Sequence, residues 1–181
     1  HTTEVLLNEL TSLAMEGYAT ADSYVCCVDD GSRDITWEEI EVLSKNNARI
    51  KGLKLSANFG HQNAVIAGLF TERTHADILI SMDADLQDDV SVISKMVKLD
   101  RQVDSFGKQI AAKLYYSLIR RMNDRAIKGH ADFRSADSKV IADLERFNEA
   151  NIYLRGLFPL IGYPSAEVQY VRKERHAGES K

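Results

Sequence analysis

Three short apolar runs, each followed by a polar loop and then by helix-patterned sequence, limit what the first hundred residues can become. Residues 23–28 read as a strand buried on both faces, because the run Tyr24-Val25-Cys26-Cys27-Val28 has no polar alternation. Residues 50–55 and 77–82 read the same way, the latter as Asp-Ile-Leu-Ile-Ser-Met. Helical spacing fills the intervals: 37–44, 63–73 and 90–98 are expected as helices, with one more at the start. In that first helix Val5, Leu6, Leu10, Leu13 and Ala14 recur at helical spacing, Thr2 or Thr3 is the expected cap, and Gly17 the stop. Thr36 and Glu39 have capping-box spacing ahead of the second helix. Strand and helix in strict alternation predict an α/β fold: a mostly parallel, Rossmann-like sheet covered by helices on both faces.

In such sheets ligands sit outside the carboxyl ends of the strands. Two of the three strands run directly into acid there. The first ends in Asp29-Asp30-Gly31-Ser32-Arg33-Asp34 and the third in Asp83-Ala84-Asp85-Leu86-Gln87-Asp88-Asp89. Asp83 and Asp85, at i and i+2 of a turning chain, present hard oxygens suited to one Mg²⁺ or Mn²⁺ that keeps waters and substrate phosphates as its other ligands. An EF-hand is excluded, since its sixth position would be Asp88 instead of Gly and its twelfth Ser94 instead of Glu. A carboxylate at Asp29 or Asp30 is placed to accept from a base N–H or a ribose hydroxyl; the plainer alternative is an Asp-Gly turn. Asn58-Phe59-Gly60-His61-Gln62-Asn63-Ala64 sets an aromatic, a glycine and amides ahead of a helix N-terminus, which suits a nucleotide or, equally, a polar loop with a buried Phe.

The second half is less regular. Residues 106–125 predict a helix with Ile110, Leu114, Leu118 and Ile119 on one side; residues 108–128 carry six basic residues against the single acid Asp124. That helix is either a solvated amphipathic surface or one facing anionic lipid. Residues 130–134 read as a polar loop, 139–146 and 151–158 as helices, the latter ended by Pro159, and 168–171 as a last strand. Charge divides with the pattern: residues 1–100 hold 8 Lys and Arg against 17 Asp and Glu, whereas 101–181 hold 15 against 10. The two cysteines, Cys26 and Cys27, are adjacent in one strand and cannot pair with each other, so buried free thiols of a reducing compartment are expected and zinc is not. No stretch approaches the roughly 20 apolar residues of a membrane span, and no leader is expected at the start.

Taken together, the three acidic and amide motifs resemble the family 2 glycosyltransferases of GT-A type. Within them they are similar to the branch that moves a sugar onto a polyprenyl phosphate, such as dolichyl-phosphate mannose synthase and the bacterial undecaprenyl-phosphate glucosyl and aminoarabinosyl transferases. Ala131-Asp132-Phe133-Arg134, Leu154-Arg155-Gly156-Leu157-Phe158 with Ile161-Gly162-Tyr163, and Arg175-His176-Ala177-Gly178-Glu179-Ser180-Lys181 extend the resemblance from about residue 4 to the end. It implies an inverting, metal-dependent transfer from a nucleotide-sugar, taken as UDP-linked, to a polyprenyl phosphate at the cytoplasmic face of a membrane.

The resemblance also implies roles. Asp29, Asp30 and Ser32 would hold the nucleoside, and Phe59, Gly60 and Asn63 would line the donor pocket. Asp83 would contact ribose or metal, and Asp85 the metal, supported by Gln87. Asp132 and Asp85 are the catalytic candidates, and Arg134 and Arg155 would handle phosphate charge. Mg²⁺ or Mn²⁺ is the implied cofactor. A membrane surface is an expected partner, nucleic acid is not, and a homo-oligomer is compatible with the pattern. The alternatives are transfer to a hydroxyl of a saccharide in cell-envelope polysaccharide synthesis, and a nucleotide- or cation-binding module without turnover.

Residues 1–181 are read as one glycosyltransferase domain, 1–100 forming the nucleotide-sugar and metal half and 101–181 the acceptor and membrane-facing half. Three departures from the family accompany this reading. Its opening strand with a Pro-x-Tyr-Asn-Glu turn, a strand with a Gly-x-Arg segment near residues 100/101, and C-terminal membrane helices are expected to be missing from the chain. The passage through Ile127-Lys128-Gly129 also reads as short.

Overall fold

A computed structural model describes residues 1–103, 133–147 and 154–170. Along the chain run α1 (Thr2–Met15), β1 (Val25–Asp29), α2 (Thr36–Asn46), β2 (Ile50–Lys54), α3 (His61–Glu72), β3 (Ile78–Ser81) and α4 (Val92–Val103). After them come β4 (Arg134–Asp137), α5 (Ser138–Leu144) and α6 (Leu154–Leu160). Six of the first seven elements match the strand–helix alternation read from the apolar runs, with ends shifted by a few residues, and α1 precedes them. The predicted helix at 106–125, Asp132 and the closing motif at 175–181 lie outside the described residues.

The described strands form two pairs. β1 and β2 lie parallel, Val25 opposite Ile50 through Asp29 opposite Lys54. β3 and β4 lie antiparallel, Ile78 opposite Asp137 through Ser81 opposite Arg134. β4 is a strand that the sequence pattern does not predict, Arg134 reading there as the end of a loop. Helix α3 joins the two pairs, packing against both β1 and β3. On β1 the contact is close: a Cβ on Gly68 would stand 2.9 Å from the Val28 Cγ2. The parallel pair, with α2 against β2 and helices on both sides of β3, makes the chain an α/β protein.

Alternation along β3 divides the core into two layers. Leu79 faces one way with Ala136 beside it in register, and Ile66 and Leu69 of α3, Ile141 and Leu144 of α5, and Leu154 and Leu157 of α6 close over them. Ile78, Ile80 and Met82 face the other way, toward Leu13 of α1, Val92, Ile93 and Val97 of α4, and Phe133. Leu13, Val92, Ile141 and Leu144 are wholly buried. Each such side chain contributes about 1.5–3 kcal/mol by leaving water, so apolar burial on the two faces of β3 anchors most of the helices.

Three local readings change. The cap of α1 is His1, with Thr2 and Thr3 already inside the helix. In place of a Thr36/Glu39 capping box, Ile35 caps α2 and the Thr36 N–H donates to Asp34 Oδ1 at 3.0 Å; the bonds from Thr36 hold the Asp34 carboxyl below its ordinary pKa. Residues 168–170 form no strand. Their alternation arises because Val168 and Tyr170 pack onto the α1/α4 layer while Gln169 faces outward. Helix α4 runs on through the stretch near residue 100, past the expected end at residue 98. Among the described residues no helix is long and apolar enough to cross a membrane.

Both cysteines are free and half-buried, as the apolar run implied. Burial, reinforced by the nearby Glu72, pushes the Cys26 thiol up to about 12; burial alone raises Cys27. Glu72, at the C-terminal end of α3, also accepts the Tyr24 hydroxyl and lies 4.0 Å from Lys51, whose ammonium stands 3.7 Å from the centre of the Tyr24 ring. This cluster binds α3 to the first strand pair at the end opposite the acidic loops.

Candidate active site

The site grows from the ends of β1 and β3. Asp29, the last residue of β1, is 2% exposed. One of its carboxyl oxygens accepts the Ser32 N–H at 3.2 Å; the other is buried and finds no partner among the described residues. A carboxylate oxygen in that position costs several kcal/mol unless something donates to it, which makes Asp29 a candidate acceptor for a ligand's donor.

Asp30 takes a different part. Its two oxygens accept the backbone N–H groups of Phe59 and Gly60, at 2.7 and 2.9 Å. The carboxylate grips the second motif from the first, holding the chain as it enters α3. Gly31 makes the grip possible. Its φ is +65°, and a Cβ there would lie 2.3 Å from the carbonyl carbon of Ala57. Two loop backbones thus meet where only hydrogen fits. Gly60, at φ 89° and ψ 152°, occupies a region essentially closed to other residues. Asn63 turns its amide back to the Phe59 carbonyl at 2.7 Å, and Phe59 itself is 54% exposed at the rim.

From this second loop His61 reaches the third. Its Nε2 lies 3.7 Å from Asp83 Oδ1, so imidazole and carboxylate face each other at the start of α3. Beyond Asp83 the chain turns tightly. Asp85 Oδ1 accepts the Gln87 N–H at 3.1 Å across Leu86, which is held at φ +56°. Helix α1 joins from the other side, the Thr2 hydroxyl donating to the Ala84 carbonyl at 3.0 Å. Asp29–Ser32, residues 58–63 and Asp83–Gln87 are therefore one continuous constellation, linked through Asp30 and His61.

Arg134 arrives on β4, opposite Ser81 in register, and its guanidinium lies 4.2 Å from the centre of the Phe158 ring of α6. His61, Ser81, Arg134, Leu154 and Phe158 line a small recess beside Asp83. The Arg155 side chain, like Asp132, lies outside the described residues. Neither His61 nor Thr2 has a role legible in the sequence: His61 stands inside the 58–64 motif with no partner visible along the chain, and Thr2 carries only a capping signal.

The donor set at the third loop suits a hard cation only in part. Asp83 and Asp85 offer carboxylate oxygen, yet among the described residues no three His, Cys, Asp or Glu side chains gather as a ready-made cage. Two half-buried carboxylates on one turn fit an ion that draws its remaining ligands from water and substrate phosphate, as Mg²⁺ does.

Comparison with known proteins agrees. The profile of the family described as Glycosyl transferase family 2 matches residues 4–150. An uncharacterized glycosyltransferase of Bacillus subtilis, YkoT, is 42% identical over 193 aligned residues, covering 99% of this chain and 57% of the relative. A protein of Shigella phage SfX named bactoprenol glucosyl transferase is 30% identical, over 85% of this chain and 54% of its own. An Escherichia coli K12 protein, a prophage bactoprenol glucosyl transferase homolog, is 29% identical over the same shares. The chain spans about half the length of the curated relatives it matches. With the helix-covered α/β fold and the acidic loops at its strand ends, these matches establish that the chain belongs to glycosyl transferase family 2, whose GT-A type its fold is consistent with.

Proposed function

We propose that this protein transfers a sugar, with inversion, from a nucleotide-sugar to a polyprenyl phosphate at the cytoplasmic face of a membrane. The observation that carries the donor half is the buried Asp29 carboxylate, with one oxygen held by Ser32 and the other without a partner among the described residues. An acceptor of that kind suits an imide N–H, which a uracil base supplies. Asp30 and Gly31 would keep the loop at 58–60 closed around the nucleoside, and Phe59, exposed at the rim, would lie against it. The acceptor half rests on the likeness to proteins named bactoprenol glucosyl transferases.

The chemistry follows from that placement. A phosphate oxygen of the lipid attacks the anomeric carbon from the face opposite the diphosphate. The new C–O bond forms as the old one breaks, and its electron pair leaves with the nucleoside diphosphate. The lipid phosphate is ionised near neutral pH, so no strong base is needed; Asp132 would orient the acceptor. Arg134 and Arg155 would meet phosphate charge. Asp83 and Asp85 would hold a Mg²⁺ or Mn²⁺ that, when bound, supplies positive charge against the leaving diphosphate. Their carboxylates would align the donor, and His61 would steady Asp83.

A panel of nucleotide-sugars, incubated with full-length protein in membranes, Mg²⁺ or Mn²⁺, and undecaprenyl or dolichyl phosphate, tests this reading. Labelled sugar should enter the lipid fraction with one donor and not when Asp85→Asn replaces the wild type. Transfer to a free saccharide in place of lipid would move the function to a hydroxyl acceptor. Absence of transfer from every donor would refute it.

A further inference from the structure

The turn after Asp83-Ala84-Asp85 is held in a conformation that its own residues disfavour. Leu86 sits at φ +56°, a region that side-chain-bearing residues persist in only where the flanks hold them. On one flank Asp85 accepts the Gln87 N–H. On the other stands Asp88, 5% exposed, whose Oδ1 accepts the Tyr170 hydroxyl at 2.6 Å from 82 residues away. The Tyr170 ring meets Phe133 edge to face, with centroids 5.7 Å apart and planes at 84°. Phe133 is 5% exposed and directly precedes Arg134 of β4. One side chain therefore touches both the acidic turn and the residue that launches the strand carrying Arg134. Further back in the same segment, the Tyr163 hydroxyl donates to Asp143 Oδ2 at 2.8 Å, a bond of similar kind made to α5, remote from the turn.

We propose that Tyr170 is a positioning residue: through Asp88 it fixes the Asp83–Asp88 turn, and through Phe133 it sets β4 against that turn. Donor-side carboxylates and acceptor-side arginine are thereby held in one geometry. The inference rests on the reading of the turn as the site of the donor diphosphate and its cation, and deepens it.

Tyr170→Phe keeps the ring and removes the hydroxyl, and Tyr163→Phe makes the same change at the other anchor. In full-length protein without added metal, hydrogen exchange at the amides of Leu86, Gln87 and Asp88 should quicken about tenfold or more in Tyr170→Phe and stay at the wild-type rate in Tyr163→Phe. The Mn²⁺ midpoint, followed by paramagnetic resonance with nucleoside diphosphate present, should rise severalfold in the first variant only. kcat should fall about tenfold in that variant, with donor KM moved less. Asp88→Asn should reproduce these changes, and the double variant Asp88→Asn/Tyr170→Phe should be no worse than either single one. If Tyr170→Phe fails to fold, Asp88→Asn supplies the same readouts. Wild-type exchange and Mn²⁺ midpoint in the Tyr170 variant, or equal changes in both tyrosine variants, would overturn the proposal. A wild-type protein that binds no Mn²⁺ and transfers no sugar would sink the functional reading, while the exchange rates would still decide the role of Tyr170.

Discussion

Replacing Gly31 by alanine tests the claim that the first two motifs are locked together backbone to backbone. Two costs arise there. An L-residue at φ +65° is disfavoured by about 1–2 kcal/mol. The added Cβ would also stand 2.3 Å from the Ala57 carbonyl carbon, 2.7 Å from its oxygen and 2.7 Å from the Asn58 nitrogen. All three are main-chain atoms that cannot rotate away, so the loop must shift, at about 1–3 kcal/mol by analogy with overpacked sites. Gly17 separates the two costs. It closes α1 at φ +78°, with nothing within 4 Å of its Cβ position, so Gly17→Ala carries the conformational cost alone. Alanine lowers the entropy of the unfolded chain equally in both, by about 0.4–1 kcal/mol, and this cancels in the comparison. Urea unfolding followed by circular dichroism should therefore show Gly31→Ala less stable than Gly17→Ala by about 1–3 kcal/mol. It should also weaken nucleotide binding, which Gly17→Ala should leave alone. Equal destabilisation of the two would refute the close approach.

Asp30→Ala removes both acceptors of the Phe59 and Gly60 N–H groups; a loss of about 1–3 kcal/mol in urea unfolding and faster exchange at those two amides are expected. Asp29→Asn puts an amide where an unpartnered carboxylate oxygen is buried, and calorimetry should show nucleotide affinity reduced by about tenfold or more. With Cys26 raised to about 12 and Cys27 also raised, neither thiol should react with a disulfide reagent at pH 8 in the native protein, and both should react in urea. Because the unfolded thiol ionises first, these groups lower stability as pH climbs from the ordinary value of 9.0 toward about 12, and leave it unchanged below. A denaturation series at rising pH, compared with a Cys26→Ala variant, measures this.

What the sequence made legible were features whose cause is local. The unbroken apolar runs of β1 and β3 need only their own residues to declare a buried strand, and the acids that follow are fixed to the strand ends by connectivity. β4 was hidden because Arg134-Ser135-Ala136-Asp137 buries a single small side chain, Ala136, and takes its place by pairing with Ile78–Ser81. The segment ending at Tyr170 misled for the opposite reason. Its alternation is genuine, but alternation reports one-sided burial, and here the buried side joins the layer of α1 and α4, with no strand paired to it among the described residues. The caps of α1 and α2 went wrong by one or two residues, since Thr2 had a distant carbonyl to bond and Asp34 a nearer amide. In the site, the grouping of the three motifs could be foreseen. That Asp30 would spend both oxygens inside the protein, and that His61 would face Asp83, depends on how α3 leans across the two strand pairs.

That lean makes α3 a lever. Twelve residues give it a length of about 18 Å. Its far end is clamped by Glu72 to Tyr24 and Lys51, and by Arg73, just beyond, to Glu145. Its near end carries His61 and Asn63. A tilt of about 3° about the clamped end carries the near end about 1 Å along the line toward Asp83, a distance that costs an enzyme up to about a hundredfold in rate when reacting groups are misplaced by it. The Tyr24–Glu72–Lys51 cluster, at the end of α3 opposite the acidic loops, is thus part of what sets the reach of the imidazole.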